Sequence, residues 1–325
     1  MRRMFPILKL ILLFSCGFLI FISFFLYPPL PYYGEERINI RYNMDASNIA
    51  SILKGKGLIS SKRVFLYLSR ILNTDTKFSP GIFNVPRGLR VDKVIRFLLR
   101  AKPEVVWVTI PEGFNSKEIA QRLESAGVVS KEAFLSALNN RIEGNYPSFI
   151  SPPYEGFLFP DTYEFYIGMK PELVIKKFLD RFIKVLPSDF EKKALRLNLS
   201  PRETIILASL VEKEARFDYE RPIIAQVLLK RLKIGMKLQC DATIQYLLDK
   251  PKERLTYDDL KIQSPYNTYL YYGLPPGAIS NPGLSSIKAV INPSNTDYLY
   301  YVAKGDGHHI FSKTYKEHLL NQIRY

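Results

Sequence analysis

The chain has 325 residues, of which 47% are hydrophobic and 13% aromatic, and this composition excludes an intrinsically disordered protein. Two cysteines are too few for a disulfide-stapled miniprotein or a Cys-rich zinc module. The net charge of +15 would suit nucleic acid, anionic lipid or an acidic polymer as partner, but no nucleic-acid-binding motif accompanies it.

The N-terminal segment 10–27 carries no charged residue and is followed by a proline-rich run. Its length in helical form is about 27 Å, close to the roughly 30 Å of the hydrocarbon core of a bilayer. We therefore predict a transmembrane helix over 10–27 and a linker over 28–37. Two alternatives stay open, a cleaved signal peptide and a lipoprotein lipidated on Cys16. The bulky residues that end the segment fit a signal peptide poorly, and Phe14 fits a lipoprotein poorly.

Three basic residues, Arg2, Arg3 and Lys9, precede this segment. Positively charged residues next to a membrane span stay on the cytoplasmic side. We therefore predict a cytoplasmic tail over 1–9 and a single pass through the cytoplasmic membrane. The large C-terminal part of the chain is then extracytoplasmic.

One sequence pattern occurs twice, seventy positions apart, and forms an internal repeat. The corresponding pairs are Ile40 and Ile110, Ile49 and Ile119, Ala50 and Ala120, Leu53 and Leu123, Gly57 and Gly127, Leu58 and Val128, Ile59 and Val129, and Ser60 and Ser130. Each copy predicts a strand, a turn and an amphipathic helix that ends near its glycine. A shorter version lies between the copies at 83–99. We predict a module of small strand-helix units over 38–148.

The chain changes character near residue 149, where proline and tyrosine become more frequent. Apolar periodicity predicts helices over 171–185, 202–217 and 220–234, and we expect only loops and short strands beyond Gly273. The fold class predicted is α+β. A transmembrane helix and the repeat module precede a mixed α+β domain over 149–325.

The predicted helix at 202–217 contains two glutamates in the sequence VEKE, Glu212 and Glu214. At about 100° per residue, Glu214 falls within an apolar stripe of leucine and valine side chains. Glu212 falls on the opposite side, four residues before Arg216, and predicts a solvated surface ion pair. Burial raises the pKa of a carboxyl group, so Glu214 is a candidate general acid. The alternative, a carboxylate at the edge of the stripe bonded to a lysine or a backbone amide, stays open.

Polar residues alternate with aromatic residues in the segments 238–246, 264–283 and 298–311. Such a mixture is typical of a saccharide groove, because sugar rings stack on aromatic side chains while hydroxyl groups need directed hydrogen bonds. The alternative is structural. Asn267 and Asn281 would then cap turns, and the tyrosines would belong to the core.

Metal and cofactor chemistry has little support in the sequence. His308, His309 and His318 are the histidines of the chain, and adjacent histidines on a strand point to opposite faces. They do not form the i, i+4 pair of zinc enzymes. A glycine-rich phosphate loop and a GxSxG motif are both missing. We predict no metal and no cofactor.

Six segments together resemble the YceG-like family of endolytic murein transglycosylases. They are EGFLFPDTYEF (155–165), LASLVEKEA (207–215), RPIIAQVLLKRLKIGMKLQCDATIQY (221–246), SPYNTY (264–269), GLPPGAISNPG (273–283) and YLYYVAKGDGHHIF (298–311). The resemblance extends from the N-terminal segment through the repeat, which it identifies as LysM-like, to near the C-terminus. Three positions depart from the family pattern. Cys240 replaces a small polar residue, Ala242 replaces proline and His308 replaces glycine.

The resemblance implies a lytic transglycosylase, anchored in the inner membrane, that cleaves nascent peptidoglycan strands between N-acetylmuramic acid and N-acetylglucosamine. Such cleavage leaves 1,6-anhydromuramic ends. The catalytic glutamate of the family falls on Glu214, and no cofactor is implied. We expect the sugars to be held by Gln239, Asp241, Thr243, Tyr266, Asn267, Thr268 and His309. The partners expected are glycan strands, peptidoglycan synthases and the lipid bilayer.

Two other functions stay open at the level of the sequence. A non-catalytic, LysM-like scaffold of a wall-synthesis complex would tolerate the loss of Glu214. A protein that binds anionic polymers or lipids through its basic excess would also be indifferent to Glu214, and its binding would depend strongly on salt.

Overall fold

The computed structural model describes residues 26–29, 31, 33–248 and 250–324. Nearly all of the transmembrane helix predicted over 10–27 lies outside these residues. Within them, none of the helices combines the length and the apolar character that crossing a bilayer requires. The chain divides into two compact units.

The first unit comprises the described residues up to Val106, together with Ala126–Val129 and Glu164–Lys170. Its elements are β1 (Glu35–Ile40), α1 (Ala46–Gly55), α2 (Lys62–Ile71), β2 (Gly81–Pro86) and α3 (Val91–Arg100). Strands β1 and β2 pair antiparallel, with Glu35 opposite Pro86 and Ile40 opposite Gly81. Isoleucine, leucine, valine and phenylalanine side chains from these elements form the core of the unit.

The predicted repeat is visible in the structure as two copies of a strand followed by a helix. In the first copy β1 precedes α1, and in the second β3 (Val105–Thr109) precedes α4 (Ser116–Ser125). The equivalent apolar residues of both copies are buried. Gly57 and Gly127 both have positive φ, of 68° and 71°, as expected for glycines that follow a helix end. The strand and helix predicted for 83–99 are also present, as β2 and α3.

The second unit comprises Trp107–Ser125, Ser130–Tyr163 and Pro171–Tyr325. In chain order after α4 the elements are α5 (Lys131–Ala137), β4 (Thr162–Tyr166), α6 (Pro171–Val185), α7 (Phe190–Arg196), α8 (Pro201–Glu214), α9 (Arg221–Lys233), α10 (Asp241–Leu247), α11 (Leu284–Ile291), β5 (Tyr300–Ala303), β6 (His309–Ser312) and α12 (Tyr315–Arg324). Of β4, only Thr162 and Tyr163 belong to the second unit. Strand β3 pairs with β4, and β5 with β6. Helices and short two-stranded sheets are mixed along the chain, which confirms the α+β class.

Helix α8 packs against four other helices of the second unit, α7, α9, α10 and α11. It begins with a capping box, in which Ser200 accepts from the backbone N–H of Glu203 and the Glu203 carboxylate accepts from the N–H of Ser200. Every residue from position 204 to position 211 is buried. A helix buried on all sides has no single apolar stripe, so the sequence model of one buried face and one solvated face does not apply to it.

The surface pair predicted between Glu212 and Arg216 is therefore wrong. The Glu212 side chain is only 6% exposed and forms an ion pair with Arg221, at 3.2 Å between Oε1 and Nη1. Its other oxygen accepts from the backbone N–H of Gly283 at 2.9 Å. Arg216 lies on the exposed side. Both glutamates of VEKE, Glu212 as well as Glu214, therefore face the interior of the protein.

The motifs EGFLF and SNPG meet at one buried junction. The Asn281 carboxamide oxygen accepts from the backbone N–H groups of Gly156 and Leu158, at 2.8 and 2.9 Å. Its amide nitrogen donates to the Glu155 carboxyl group at 2.7 Å and to the Phe114 carbonyl at 2.9 Å. One asparagine therefore joins three chain segments, and the structural alternative applies to this residue.

The element boundaries differ from the prediction in two places. The helix predicted over 202–217 ends at Glu214, because Ala215 has an extended conformation with ψ of 125°. Two helices, α11 and α12, occur beyond Gly273, where only loops and short strands were expected. Helix α12 has no buried residue.

The two compact units do not follow the predicted boundary between 148 and 149. Most of the second repeat copy, including α4, belongs to the second unit. Within that unit the threonine hydroxyls of Thr109 and Thr162 lie 2.8 Å apart, and the N–H of Ile110 donates to the carbonyl of Asp161. The sequence repeat is therefore not equivalent to a compact unit.

Candidate active site

Glu214 is the last residue of α8, at the point where the chain leaves the helix. Its Oε2 atom accepts a hydrogen bond from the hydroxyl of Tyr301 at 3.2 Å. Its Oε1 atom is buried, and no hydrogen-bond partner for it is found in the described part of the chain. An unpaired buried carboxylate oxygen is costly, so the protonated form of the group is favoured.

The surroundings of Glu214 raise the pKa of its carboxyl group to about 7. Burial is the largest cause, and the negative charge of Asp241 adds to it. The nearby backbone N–H of Ala242 and the hydroxyl of Tyr301 act in the opposite direction and lower the pKa. A carboxyl group with a pKa near neutrality can both give and take a proton at physiological pH, as general acid-base catalysis requires.

A cavity of about 460 Å³ opens next to Glu214. Four of the residues that the sequence predicts for the site line it: Glu214, Gln239, Asp241 and His309. Tyrosine side chains form much of the remaining wall, among them Tyr269 and Tyr301. Its volume is in the range of ligand pockets, and it combines aromatic surfaces with polar groups.

Gln239 lies on the segment that connects α9 to α10, and Asp241 is the first residue of α10. Asp241 accepts a hydrogen bond from the hydroxyl of Tyr269. Gln239 has a φ of 52°, in the left-handed region, and its backbone N–H donates to the carbonyl of Thr268 at 3.1 Å. Both residues are exposed to solvent, so their side chains are available to a ligand in the cavity.

Four other predicted site residues have their side chains occupied elsewhere. Thr243 donates to the carbonyl of Cys240 at 2.7 Å, and the hydroxyl of Thr268 accepts from the N–H of Cys240 at 2.9 Å. The amide of Asn267 donates to two carbonyl oxygens of its own loop. The ring of Tyr266 packs against that of Tyr246, with 5.2 Å between centroids. Thr243, Asn267 and Thr268 are buried, and their hydrogen bonds hold the 264–269 loop and the turn at Cys240 together.

His309 is placed by the hairpin of β5 and β6. Ala303 pairs with His309 and Tyr301 pairs with Phe311, so these residues share one face of the hairpin. The rings of Tyr301 and His309 meet edge to face, with 5.4 Å between centroids. The same hairpin therefore carries the partner of Glu214 and a second polar wall of the cavity.

Several residues at the site were not predicted from the sequence. The contacts of Tyr301, Tyr269 and Glu220 at the site depend on tertiary structure. Tyr301 and Tyr269 nevertheless lie in segments already marked by their aromatic content. Arg231 lines the cavity and lies 5.9 Å from the centroid of Tyr301. Its periodic position on α9 is indistinguishable in sequence from that of a surface arginine.

The described side chains do not form a metal site. Within 26–29, 31, 33–248 and 250–324, no three His, Cys, Asp or Glu side chains converge as a metal site would require. Cys240 is a buried thiol whose pKa is raised well above its ordinary value by burial and by the charge of Glu214. A thiol of this kind is a poor metal ligand and a poor nucleophile.

Comparisons with known proteins agree with the motifs. The model of the YceG-like family matches residues 38–324. The endolytic murein transglycosylase of Bacillus subtilis is 35% identical over 299 residues, covering 86% of this chain and 82% of the relative. The endolytic murein transglycosylase of Streptococcus pneumoniae serotype 2 is 28% identical over 301 residues, and the alignment spans 54% of its length.

A solved structure supports the fold. The crystal structure of a YceG-like protein from Listeria monocytogenes superimposes with a TM-score of 0.59 and 29% sequence identity, covering 88% of this chain and 98% of that one. The resemblance found in the sequence is thus confirmed by a family match, by relatives and by a shared fold. The chain belongs to the YceG-like family.

Proposed function

We propose that this protein is an endolytic lytic transglycosylase that cleaves the glycan strands of peptidoglycan, with Glu214 as its single catalytic acid and base. Relatives that align over most of this chain bear the name endolytic murein transglycosylase. The observation that carries the assignment of the residue is a carboxyl group with a pKa of about 7 at the edge of a polar and aromatic cavity.

The mechanism needs one carboxyl group because the substrate supplies its own nucleophile. Glu214 gives its proton to the oxygen of the bond between N-acetylmuramic acid and N-acetylglucosamine as the bond from C1 to that oxygen breaks. The 6-hydroxyl of the N-acetylmuramic acid then attacks C1 and closes the 1,6-anhydro ring. The Glu214 carboxylate takes the proton of that hydroxyl and returns to its starting state. A hydrolase would need a second carboxyl group to direct water.

The residues that hold the sugars are expected on the open side of the cavity. Gln239, Asp241 and His309 line it and provide hydrogen-bonding groups for hydroxyl and acetamido groups. Thr243, Asn267 and Thr268 act indirectly, because their buried side chains fix the loop that carries the wall. Tyr266 supports the same region through its ring contact with Tyr246.

The decisive experiment replaces Glu214 with glutamine in the full-length protein and analyses the products from purified glycan strands by mass spectrometry. E214Q keeps the size of the side chain but has no proton to give, so 1,6-anhydro ends should disappear. E203Q is the matched control. It makes the same change on the same helix, and glutamine still serves in a capping box, so activity should persist.

Undiminished release of anhydro products by a folded E214Q protein would refute the assignment. Loss of those products with retained binding to glycan strands would support it. If neither the wild-type protein nor E203Q released any product, the non-catalytic scaffold would be the better account. Reducing ends in place of anhydro ends would identify a plain hydrolase.

The membrane arrangement is part of the same proposal. A transmembrane helix over 10–27, with Arg2, Arg3 and Lys9 on the cytoplasmic side, would tether the catalytic part outside the cytoplasmic membrane. Residues 38–148 would act as a LysM-like module between the anchor and the catalytic domain at 149–325. Peptidoglycan synthases in the same membrane are the partners that this location favours.

Alkaline extraction of membranes tests the anchor. The full-length protein should stay in the membrane pellet after carbonate treatment, and a variant lacking 10–27 should be released. Proteolysis of spheroplasts tests the orientation, because the extracytoplasmic part should be digested without lysis. Release of the full-length protein by carbonate would contradict the transmembrane helix.

A further inference from the structure

Glu220 is a buried carboxylate next to the site, and its side chain has an unusual arrangement. It occupies the N-cap position of α9 but makes no capping hydrogen bond to that helix. Only 2% of the residue is exposed. Its Oε1 accepts from the backbone N–H of His309 at 3.0 Å, and its Oε2 lies 2.8 Å from Nδ1 of the same residue. Both oxygens are thus directed at one histidine.

The protonation state of this pair follows from its hydrogen bonds. Burial alone would raise the pKa of Glu220, but hydrogen bonds from His309 outweigh it and hold the pKa below its ordinary value. An ionised carboxylate can only accept, so the Nδ1 atom of His309 must carry the hydrogen. In the neutral imidazole the other nitrogen, Nε2, then carries a lone pair.

The Nε2 edge of the ring is the one left for the cavity. His309 lines the cavity that also contains Glu214, whereas Glu220 occupies the opposite edge of the imidazole. The His309 ring is further fixed by its edge-to-face contact with Tyr301, whose hydroxyl bonds to Glu214. The titratable and charged groups around the pair are Tyr219, His308, Tyr301, Glu214, Asp241 and Arg231.

We propose that Glu220 is a positioning residue that fixes the tautomer of His309, so that Nε2 accepts a hydrogen bond from a hydroxyl or acetamido group of the bound glycan. This inference rests on the proposed function and deepens it. Glu214 remains the group that transfers protons. The pair of Glu220 and His309 sets the orientation of the sugar relative to Glu214 by presenting an acceptor where the other tautomer would present a donor.

The substitution E220Q tests the tautomer because it keeps the shape of the side chain. The backbone N–H of His309 can only donate, so it claims the oxygen of the new amide. The amide NH₂ then faces Nδ1, which must become the acceptor. The hydrogen therefore moves to Nε2, and the acceptor that faces the cavity becomes a donor.

Nuclear magnetic resonance measures this change directly. The chain has three histidines, so selective ¹⁵N labelling of histidine in the full-length protein gives few signals to assign. We expect the wild-type protein to show a protonated Nδ1 and an unprotonated Nε2 for His309 once its imidazole is neutral. E220Q should show the reverse, with anhydro-product formation reduced about 10- to 100-fold.

Two substitutions of His309 separate support of the fold from contact with the glycan. H309N keeps an amide near the position of Nδ1, where it can still donate to Glu220, but has no group at the position of Nε2. H309Q places its amide near the position of Nε2 instead. H309N should lose activity to a similar extent as E220Q, while H309Q should retain more. Y219F is the control and should stay near wild-type activity, because it removes only the weaker 3.4 Å contact to Glu220 and the contact of the same hydroxyl to Nδ1 of His308.

The tautomer seen by NMR is a readout that a merely structural role of Glu220 would not move. Full activity of E220Q with a reversed tautomer would overturn the proposal, as would a protonated Nε2 in the neutral wild-type protein. If E214Q is inactive but E220Q is unimpaired, only this inference fails. If E214Q is active, the proposed function itself fails.

Discussion

The carboxyl group of Glu214 is held in surroundings that disfavour its charge. Folding raises the pKa of this group from its ordinary value near 4.5 to about 7. Between these two values the unfolded chain releases its proton while the folded chain keeps it, so the free energy of unfolding falls as the pH rises. The raised pKa that suits Glu214 to acid-base catalysis therefore lowers the stability of the fold at neutral pH.

Replacing Glu214 with glutamine should stabilise the protein at neutral and alkaline pH. The contribution of the protonated carboxyl group is fully present below pH 4.5 and is lost as the pH rises through about 7. At about 1.4 kcal/mol per unit of pKa, E214Q should gain up to about 3 kcal/mol relative to wild type at pH 8. Thermal unfolding of both proteins at pH 4 and pH 8 measures the difference. A gap of the same size at both pH values would contradict the raised pKa.

The hydroxyl of Tyr301 adjusts the same group in the opposite direction. Its hydrogen bond to Glu214 lowers the pKa of the carboxyl group. In Y301F the pKa should therefore rise, and the alkaline limb of kcat/KM should move upward by about half a unit to one unit. Y298F changes a neighbouring tyrosine that packs on Phe311 and should leave that limb in place. An alkaline limb of Y301F that is unmoved or shifted downward would count against the contact.

The sequence predicted Glu214 and three other residues of the cavity, but not the groups that hydrogen-bond to them. Glu214 could be singled out because a charged residue within an apolar run is a local signal. Gln239, Asp241 and His309 were selected through motifs, and the structure places all three at the cavity. Tyr301 and Glu220 could not be found in this way, because their roles depend on a hairpin and a helix start that lie far apart in sequence.

At the scale of elements, α8 determines the site because it is buried on every side. Strong burial from Thr204 to Val211 leaves Glu212 inside the protein, where Arg221 and the N–H of Gly283 bind it. Burial is the main reason that the pKa of Glu112 is raised, and the negative charge of Glu212 raises it further. Helix periodicity gives the angle of a side chain around its helix, but the number of neighbouring elements decides whether that angle faces water.

Breaking the pair of Glu212 and Arg221 should therefore be far more costly than breaking a surface pair. E212Q leaves Arg221 with its hydroxyl contact to Ser286 and its exposed partner Asp218, so we expect a loss of about 2–3 kcal/mol. R216Q, which removes the partner predicted from the sequence, should cost less than about 0.5 kcal/mol. Denaturant unfolding of the two variants compares them. Equal and small effects of E212Q and R216Q would instead support a surface ion pair between Glu212 and Arg216.

The elements themselves followed from local patterns where the patterns were strong. The helix at 171–185 has the bounds that its periodicity predicts, and both copies of the repeat form a strand and a helix. Helices α11 and α12 were missed for different reasons. Helix α11 is short and follows a proline-rich loop, and α12 contributes no buried residue to the core, with Leu319 and Leu320 exposed. The compact units also combine segments from distant parts of the sequence, which no local pattern encodes.

At the scale of the whole molecule, the excess of basic over acidic residues suits the proposed substrate. The net charge of +15 comes from 46 Lys and Arg against 31 Asp and Glu. A positively charged protein attracts strands that carry acidic stem peptides, and this long-range attraction acts on encounter more than on chemistry. Near Glu214 the balance differs, because the adjacent Asp241 is negative and the buried Arg231 is positive.

Salt should therefore separate encounter from chemistry. The Debye length falls from about 30 Å at 0.01 M to about 10 Å at 0.1 M ionic strength, which screens the attraction between protein and strand but hardly affects a partly buried carboxyl group. We expect kcat/KM on peptidoglycan with intact stem peptides to fall several-fold over this range while kcat at saturation stays constant. Product formation by the full-length protein at several NaCl concentrations measures both, and sucrose of equal osmolarity controls for solute effects. A parallel fall of kcat would mean that salt acts on the site itself, and a salt-independent kcat/KM would mean that the basic excess has no part in capturing the strand.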